Sequence, residues 1–293
     1  MPYVSILEFP AQPRPRRSRP ALSPSRANDF KQCPLLYRFR AVDRLPEKST
    51  TAQVKGTVVH AALEALYAMP TETRDSVAAV ELVSPAWDRV LEESPELDAL
   101  FEGKDREALL DQARTLVAGY YEMEDPTSFD PESCEQRVEI DLADGTPLRG
   151  FIDRIDVAPN GMIRVVDYKT GKSPREFTEA KALFQMKFYA LVIMRMRSVV
   201  PSQLKLMYLG DKKSLTYTPD EEELIRFERM LSAIWKAILE AGQSGDFRPK
   251  KTKLCGWCDH QAVCPEFGGT PPVYPGWPDE LQDQNLLVSE MSQ

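Results

Sequence analysis

The sequence predicts an α/β fold on three observations. Segments 136–142, 151–157, 163–169, 203–209 and 214–217 are short and rich in Val, Ile, Leu, Phe and Tyr, as strands are. Stretches with apolar residues at helical spacing surround them, most clearly Lys55–Ala68, where Val58, Val59, Ala62, Leu63 and Leu66 form one stripe. The third observation is central. The segment Gly150–Lys172 carries Asp153, Asp167 and Lys169 inside strands that otherwise look buried. Strand interiors are poor in Asp, and a buried carboxylate is costly unless it is paired or holds a cation.

Residues 1–21 form a leader rich in Pro and Arg, expected to be disordered. Ser23 caps a helix with Pro24 at its first position, and Cys33-Pro34 interrupts that helix before a second short helical stretch. His60 lies on the Lys55–Ala68 helix, one turn after Gly56. Residues 74–123 read as helical throughout, broken near Pro85 and Pro95, a helical insertion that packs. Gln136–Leu142 is a strand leading through Asp144-Gly145 into the central hairpin. Glu139 on it is a candidate acidic ligand, but a two-residue Asp144-Gly145 loop turns it away from Asp153, so it is left out of the site.

Beyond the hairpin, Thr178–Arg197 is a helix that presents Gln185 and Tyr189, four apart, on one face. Gln203–Leu209 and Ser214–Tyr217 form a second hairpin, and Thr218-Pro219-x-Glu221 is a capping box opening a helix to about Ala241. Residues 22–265 are expected to be the folded domain and 266–293 a flexible acidic tail.

Composition sets the bounds. The chain has 293 residues, 42% hydrophobic and 28% charged, ordinary for a globular protein. The most apolar run, Tyr189–Met194, ends in Arg195 and Arg197, too short for a membrane span. With no apolar signal core at the N-terminus, a cytoplasmic location is expected. The net charge of −8 argues mildly against nucleic acid as a partner. Local basic clusters weigh more, and three occur: Arg14 to Arg19, Lys169 with Lys172 and Arg175, and Arg248 with Lys250, Lys251 and Lys253.

The turn decides whether the central carboxylates meet. A two-residue loop at Asn160-Gly161 sets Asp153 opposite Tyr168, on the wrong face. A three-residue loop, Pro159 to Gly161, pairs Ala158 with Met162 and sets Asp153 opposite Asp167. Pro suits position i+1 of a type I turn, and Gly161 can take the left-handed position that closes it, so the second register is favoured. Asp153, Asp167 and Lys169 then converge, two hard-oxygen ligands for Mg²⁺ or Mn²⁺ beside a cation. The competing interpretation is a surface hairpin with an ion pair.

Asp153 followed by Asp167-x-Lys169 on the next strand resembles the core motif of the PD-(D/E)XK nuclease superfamily, and GFIDRID with VVDYKTGK resembles its RecB-like exonuclease branch. Gly56-x-x-x-His60 before them and Gln185-x-x-x-Tyr189 after them fall in that branch's order. The resemblance covers roughly residues 22–265. It implies a restriction-endonuclease-like mixed sheet flanked by helices, with a helical insertion and a C-terminal Fe–S region. It implies that His60, Asp153 and Asp167 hold Mg²⁺ or Mn²⁺, that Asp153, Asp167 and Lys169 carry hydrolysis, and that Gln185, Tyr189 and Lys172 meet the DNA. The implied activity is exonuclease action on single-stranded DNA ends in repair, recombination or replication, with a helicase or CRISPR adaptation proteins as partners.

Cys255-x2-Cys258-x5-Cys264 has the tight spacing of metal or cluster ligands, in a chain whose five cysteines are an odd number. A fourth ligand must come from elsewhere. By resemblance to AddB-type and CRISPR-associated RecB-like nucleases, Cys33 completes a [4Fe–4S] staple. The alternative is a Zn²⁺ site with His260 as fourth ligand and Cys33 free, and Cys134 fits neither. Thr170-Gly171-Lys172-Ser173 ends like a phosphate-binding loop, but Val166 stands where that motif needs Gly, so no ATPase site is read. Two rival classes remain: a catalytically silent Fe–S DNA-binding module, and a zinc protein that is no nuclease. The intact Asp153, Asp167 and Lys169 speak against the first and the ordered motifs against the second.

Overall fold

The chain is described by a computed structural model over residues 20–101, 103–173 and 179–277. Among these residues one five-stranded sheet follows chain order: β1 (Ser133–Asp141), β2 (Pro147–Val157), β3 (Ile163–Lys169), β4 (Gln203–Tyr208) and β5 (Lys213–Tyr217). Neighbours are antiparallel except β3 and β4, which run parallel. A parallel pair needs a crossover, and α8 (Glu179–Arg197) supplies it. The expected mixed sheet forms. β1 and β2 start earlier than expected, at Ser133 and Pro147, and Pro147 is tolerated as the first residue of its strand.

Each helix starts where a cap allows. The Ser23 hydroxyl accepts the Arg26 N–H at 3.2 Å and opens α1 (Pro24–Gln32), and an extended Cys33 separates it from α2 (Pro34–Tyr37). Thr50 and Gln53 cap each other reciprocally, so α3 (Thr51–Ala68) begins a turn before the apolar stripe. The helical insertion resolves into α4 (Ser76–Glu81), α5 (Val83–Glu93), α6 (Glu96–Leu100) and α7 (Lys104–Tyr120). Pro85 does not break α5. It lies in the first turn, where the backbone has no N–H partner to lose. Asp220, not Thr218, caps α9 (Glu221–Ser244), its carboxylate accepting the Glu223 N–H at 2.9 Å. The expected start of α8 at Thr178 lies outside the described residues.

Alternation along the central strands feeds two cores. Val165, Leu204 and Leu206 face α8 and α9, meeting Phe188, Leu191 and Leu231. Val166, Tyr168, Met207 and Leu209 face the opposite way, onto Val58, Leu66, Leu109 and Val117. The insertion therefore builds one whole side of the fold. The described part of the expected tail, 266–277, also belongs to the fold. Trp277 is 8% exposed, packs against Trp235 and lies over Gly242, where no side chain would fit. The leader through residue 19 and residues 278–293 lie outside the described residues.

Candidate active site

The β2–β3 loop takes the register that turn chemistry favours. The Ala158 N–H donates to the Met162 carbonyl at 2.9 Å, the Gly161 N–H to the Ala158 carbonyl at 2.8 Å, and Gly161 has φ 81°. Arg154 pairs with Val166, which brings Asp153 opposite Asp167. There the ladder opens, and the Asp153 carboxylate itself accepts the Tyr168 N–H at 2.7 Å.

The β1–β2 loop is built the same way. Leu142 donates to the Thr146 carbonyl at 2.9 Å, and Gly145 closes the turn at φ 81°. The loop is therefore three residues, Ala143 to Gly145, and not the expected two. Cys134 pairs with Arg154 and Gln136 with Ile152, leaving Glu135 opposite Asp153. Glu135, Asp153 and Asp167 thus form one row across three strands. The same turn logic applied to this loop would have found Glu135. Glu139 pairs with Arg149, faces solvent and is ion-paired to Arg137, so it stays out of the site for a different reason.

The backbone is unusual at this row. Glu135 has φ 45°, rare for a residue with a side chain. Strict alternation also fails on the facing strand. Ile152 and Ile155 both enter the core beneath α8, while Arg154 between them points to the opposite core. Such outliers persist only where surrounding structure fixes them, and they gather at functional sites.

His60 reaches the row from α3. Its Nε2 lies 3.1 Å from the Tyr168 carbonyl, which can only accept, so Nε2 carries the proton. That leaves Nδ1 aimed between Glu135 Oε1 at 3.2 Å and Asp153 Oδ2 at 3.5 Å. A lone pair facing two carboxylates needs a cation or a proton in that position. The electrostatics agree. Burial would lower the His60 pKa, but Asp153 and Glu135 raise it to about 9. Burial and then the neighbouring Asp167 push Asp153 up to about 7, against the pull of His60. Ligand atoms of His60, Glu135 and Asp153 all lie within 4.8 Å of one another, a mixed oxygen and imidazole set suited to a divalent cation. The backbone carbonyl behind the imidazole is the usual support of a ligating histidine.

Asp167 adjoins this set instead of joining it. Gln185 Nε2 donates to its Oδ1 at 2.7 Å, and Lys169 Nζ lies 2.6 Å from its Oδ2 and 3.0 Å from Gln185 Oε1. Burial would lower the Lys169 pKa, yet Asp167 beside it holds it above the ordinary lysine value. Of the ligand trio expected from resemblance, His60 and Asp153 group with Glu135, and Asp167 stands beside them, bonded to Gln185 and Lys169. Gln185, expected at the DNA, spends its amide on Asp167 and Lys169. Tyr189 is buried against Gly150, where a Cβ would come within 2.9 Å of the ring. Lys172 is exposed on the loop after β3. The row opens into a cleft of about 2490 Å³ bounded by α1, α3, β1 and β2.

Behind the sheet lies a residue that sequence reasoning missed. Arg154 is fully buried, and its Nη1 donates to the hydroxyls of Tyr67, Tyr120 and Tyr168 at 2.7, 2.9 and 2.7 Å. Its other nitrogens meet Glu124 at 2.7 Å and Asp156 at 3.0 Å. Tyr67 shares α3 with His60, and Tyr168 supplies the N–H and carbonyl that hold Asp153 and His60. Arg154 therefore locks together the elements carrying the row.

Cys33 also comes close to the C-terminal cysteine segment. None of the five cysteines is in a disulfide. Burial, with the charges of Cys264, Cys255 and Cys33 adding to it, holds the Cys258 thiol above its ordinary pKa. Backbone N–H groups of Lys250 and Thr252 point at Cys33 Sγ and Cys255 Sγ at 3.4 and 3.3 Å. His260, the alternative zinc ligand, is buried on Phe39 with its Nε2 3.0 Å from Glu47 Oε1. Cys134 lies elsewhere, near Arg154, and burial pushes its thiol up to about 12.

Three carboxylates, an imidazole and a lysine in a wide cleft are the equipment of a divalent-metal phosphodiesterase. Residues 21–265 match the PD-(D/E)XK nuclease superfamily, and the chain belongs to it. It is a nuclease, of a family that acts on DNA with divalent metal ions. It is 25% identical to the Gene 69 protein of Mycobacterium phage L5, over 85% of this chain and 97% of that protein. The Gene 69 protein of Mycobacterium phage D29 is 26% identical over the same shares. A solved structure from Eubacterium rectale, titled as a candidate exonuclease, has the same fold at TM-score 0.55 and 15% identity, over 82% of this chain and 87% of that one. Among the described residues no helix is long and apolar enough to cross a membrane.

Proposed function

We propose that this nuclease is a RecB-like deoxyribonuclease dependent on Mg²⁺ or Mn²⁺, acting as an exonuclease on single-stranded DNA ends. The observation that carries the reading is His60 Nδ1, aimed between Glu135 and Asp153 with its tautomer fixed from behind. His60, Glu135 and Asp153 would hold the ion, which supplies Lewis-acid charge and a polarised water. Lys169 stays protonated and is steered by Asp167 and Gln185. Its ammonium orients the attacking water and offsets charge growing on the phosphoryl oxygens. Exonuclease action is supported by the fold shared with the Eubacterium rectale protein.

Cys33, Cys255, Cys258 and Cys264 are assigned to a [4Fe–4S] cluster. N–H groups aimed at sulfur suit thiolate ligands. Thiols kept out of disulfides suit the cytoplasm, and a helicase or CRISPR adaptation complex would present the single strand.

The test is cleavage of an end-labelled single strand with Mn²⁺ by anaerobically prepared protein. Lys169→Ala should cut at least about 100-fold more slowly while its melting temperature stays close to wild type. Equal rates for the two proteins would falsify the assignment.

A further inference from the structure

The outer half of the β1–β2 ribbon turns Val138, Leu148 and Ile152 into the core and its other face to solvent. On that open face, in mid-strand, stands Phe151, 48% exposed. Arg137 is its paired neighbour on β1, and Arg149 lies two residues before it on the same side. Glu139, opposite Arg149 and ion-paired to Arg137, leaves the group with one net positive charge. Phe151, Arg137 and Arg149 all line the cleft that holds Asp153. A single exposed Phe would mean little. This ring is two residues from Asp153, about 7 Å along the strand, with Arg137 at the position across from it and Arg149 two positions along.

Resting on the single-strand nuclease reading, we infer that Phe151 is a base-stacking platform. It seats the unpaired base adjoining the scissile phosphate, with Arg137 and Arg149 on the flanking phosphates. Bases inside a duplex already have both faces stacked, so only an unpaired base can cover the ring. The platform thereby selects single strands, by the aromatic-plus-cation chemistry of single-strand grooves.

The test measures anisotropy of one labelled sequence, as a single strand and as a blunt hairpin duplex, in the Lys169→Ala background with Mn²⁺. Phe151→Ala should weaken single-strand binding roughly five- to hundredfold, leaving duplex binding and the salt slope unchanged. Phe151→Trp should retain the affinity, Phe151→Leu should lose it, and Arg149→Ala should lower the salt slope by about one. Circular-dichroism melts confirm that each variant is folded. Wild-type single-strand affinity in Phe151→Ala or Phe151→Leu overturns the platform, as does equal loss on both DNAs. If wild type also fails to cut DNA, the nuclease reading falls with it. If wild type cuts while Phe151→Ala binds normally, only the platform falls.

Discussion

The carboxylate row and the thiol quartet gather polar ligands by opposite means. Glu135, Asp153 and Asp167 come from adjacent strands joined by two tight loops, so register alone aligns them. Cys33 and Cys255 are separated by most of the chain, and of the C-terminal cysteines Cys255 lies on a short 3-10 turn while Cys258 and Cys264 lie at the ends of such turns. The row has a framework of paired strands that stands on its own hydrogen bonds. If the quartet holds the cluster proposed above, the ordering of its region depends on that cluster, because metal binding is then itself folding energy.

The largest effect should therefore come from the quartet. On the cluster proposed above, Cys255→Ala is expected to purify without iron and expose the C-terminal segment to protease, while Mn²⁺ still binds the row. Cys134→Ala should do neither. Loss of Mn²⁺ binding in Cys255→Ala would break the contrast.

The row should instead fail from behind. Arg154→Met removes the buried cation between Glu124 and Asp156 and should cost about 3–5 kcal/mol in urea unfolding. It should also weaken Mn²⁺ binding roughly 10- to 100-fold, although Arg154 touches no ligand atom. Unchanged metal affinity would reduce Arg154 to a core residue.

A smaller loss is expected at the loop. Gly161 sits at φ 81°, where Val costs about 1–2 kcal/mol, and slippage by one residue would carry Asp153 to the other face. Activity should fall by more than unfolding stability does. Gly145→Val should do the same through Glu135, because its loop is built alike. Equal losses of activity and stability at both sites would show that register is not what aligns the row.

The smallest effect is a slope with pH in metal-free protein. Asp153 is raised to about 7 and His60 to about 9, so both bind protons more tightly folded than unfolded. Their stabilisation is complete below the unfolded pKa and disappears as pH rises. The Asp153 share goes between about 4 and 7, and the His60 share between about 6.5 and 9. Melting temperature in EDTA should fall across that range, and saturating Mn²⁺ should flatten the fall. A melting temperature in EDTA that rises from pH 6 to 9 would contradict this arrangement of charge.

By itself the sequence determined the register of β2 and β3, because Pro159-Asn160-Gly161 allows one good turn and alternation then fixes which side chains meet. It also determined the start of α1, since the Ser23 cap is a local hydrogen bond. Only the tertiary structure decided that Glu135 completes the row. Its local sequence, SCEQRVEID, carries no signal for a residue at positive φ, and its place depends on a loop ten residues away. Gln185 likewise shows its use only where α8 crosses the sheet and brings it to Asp167 and Lys169. The burial of Arg154 was the least legible. An arginine between two aspartates reads as a solvated strand position, and here three tyrosines from α3, α7 and β3 close over it. Contacts between elements far apart in the chain, invisible to any local pattern, decide whether such a charge is buried.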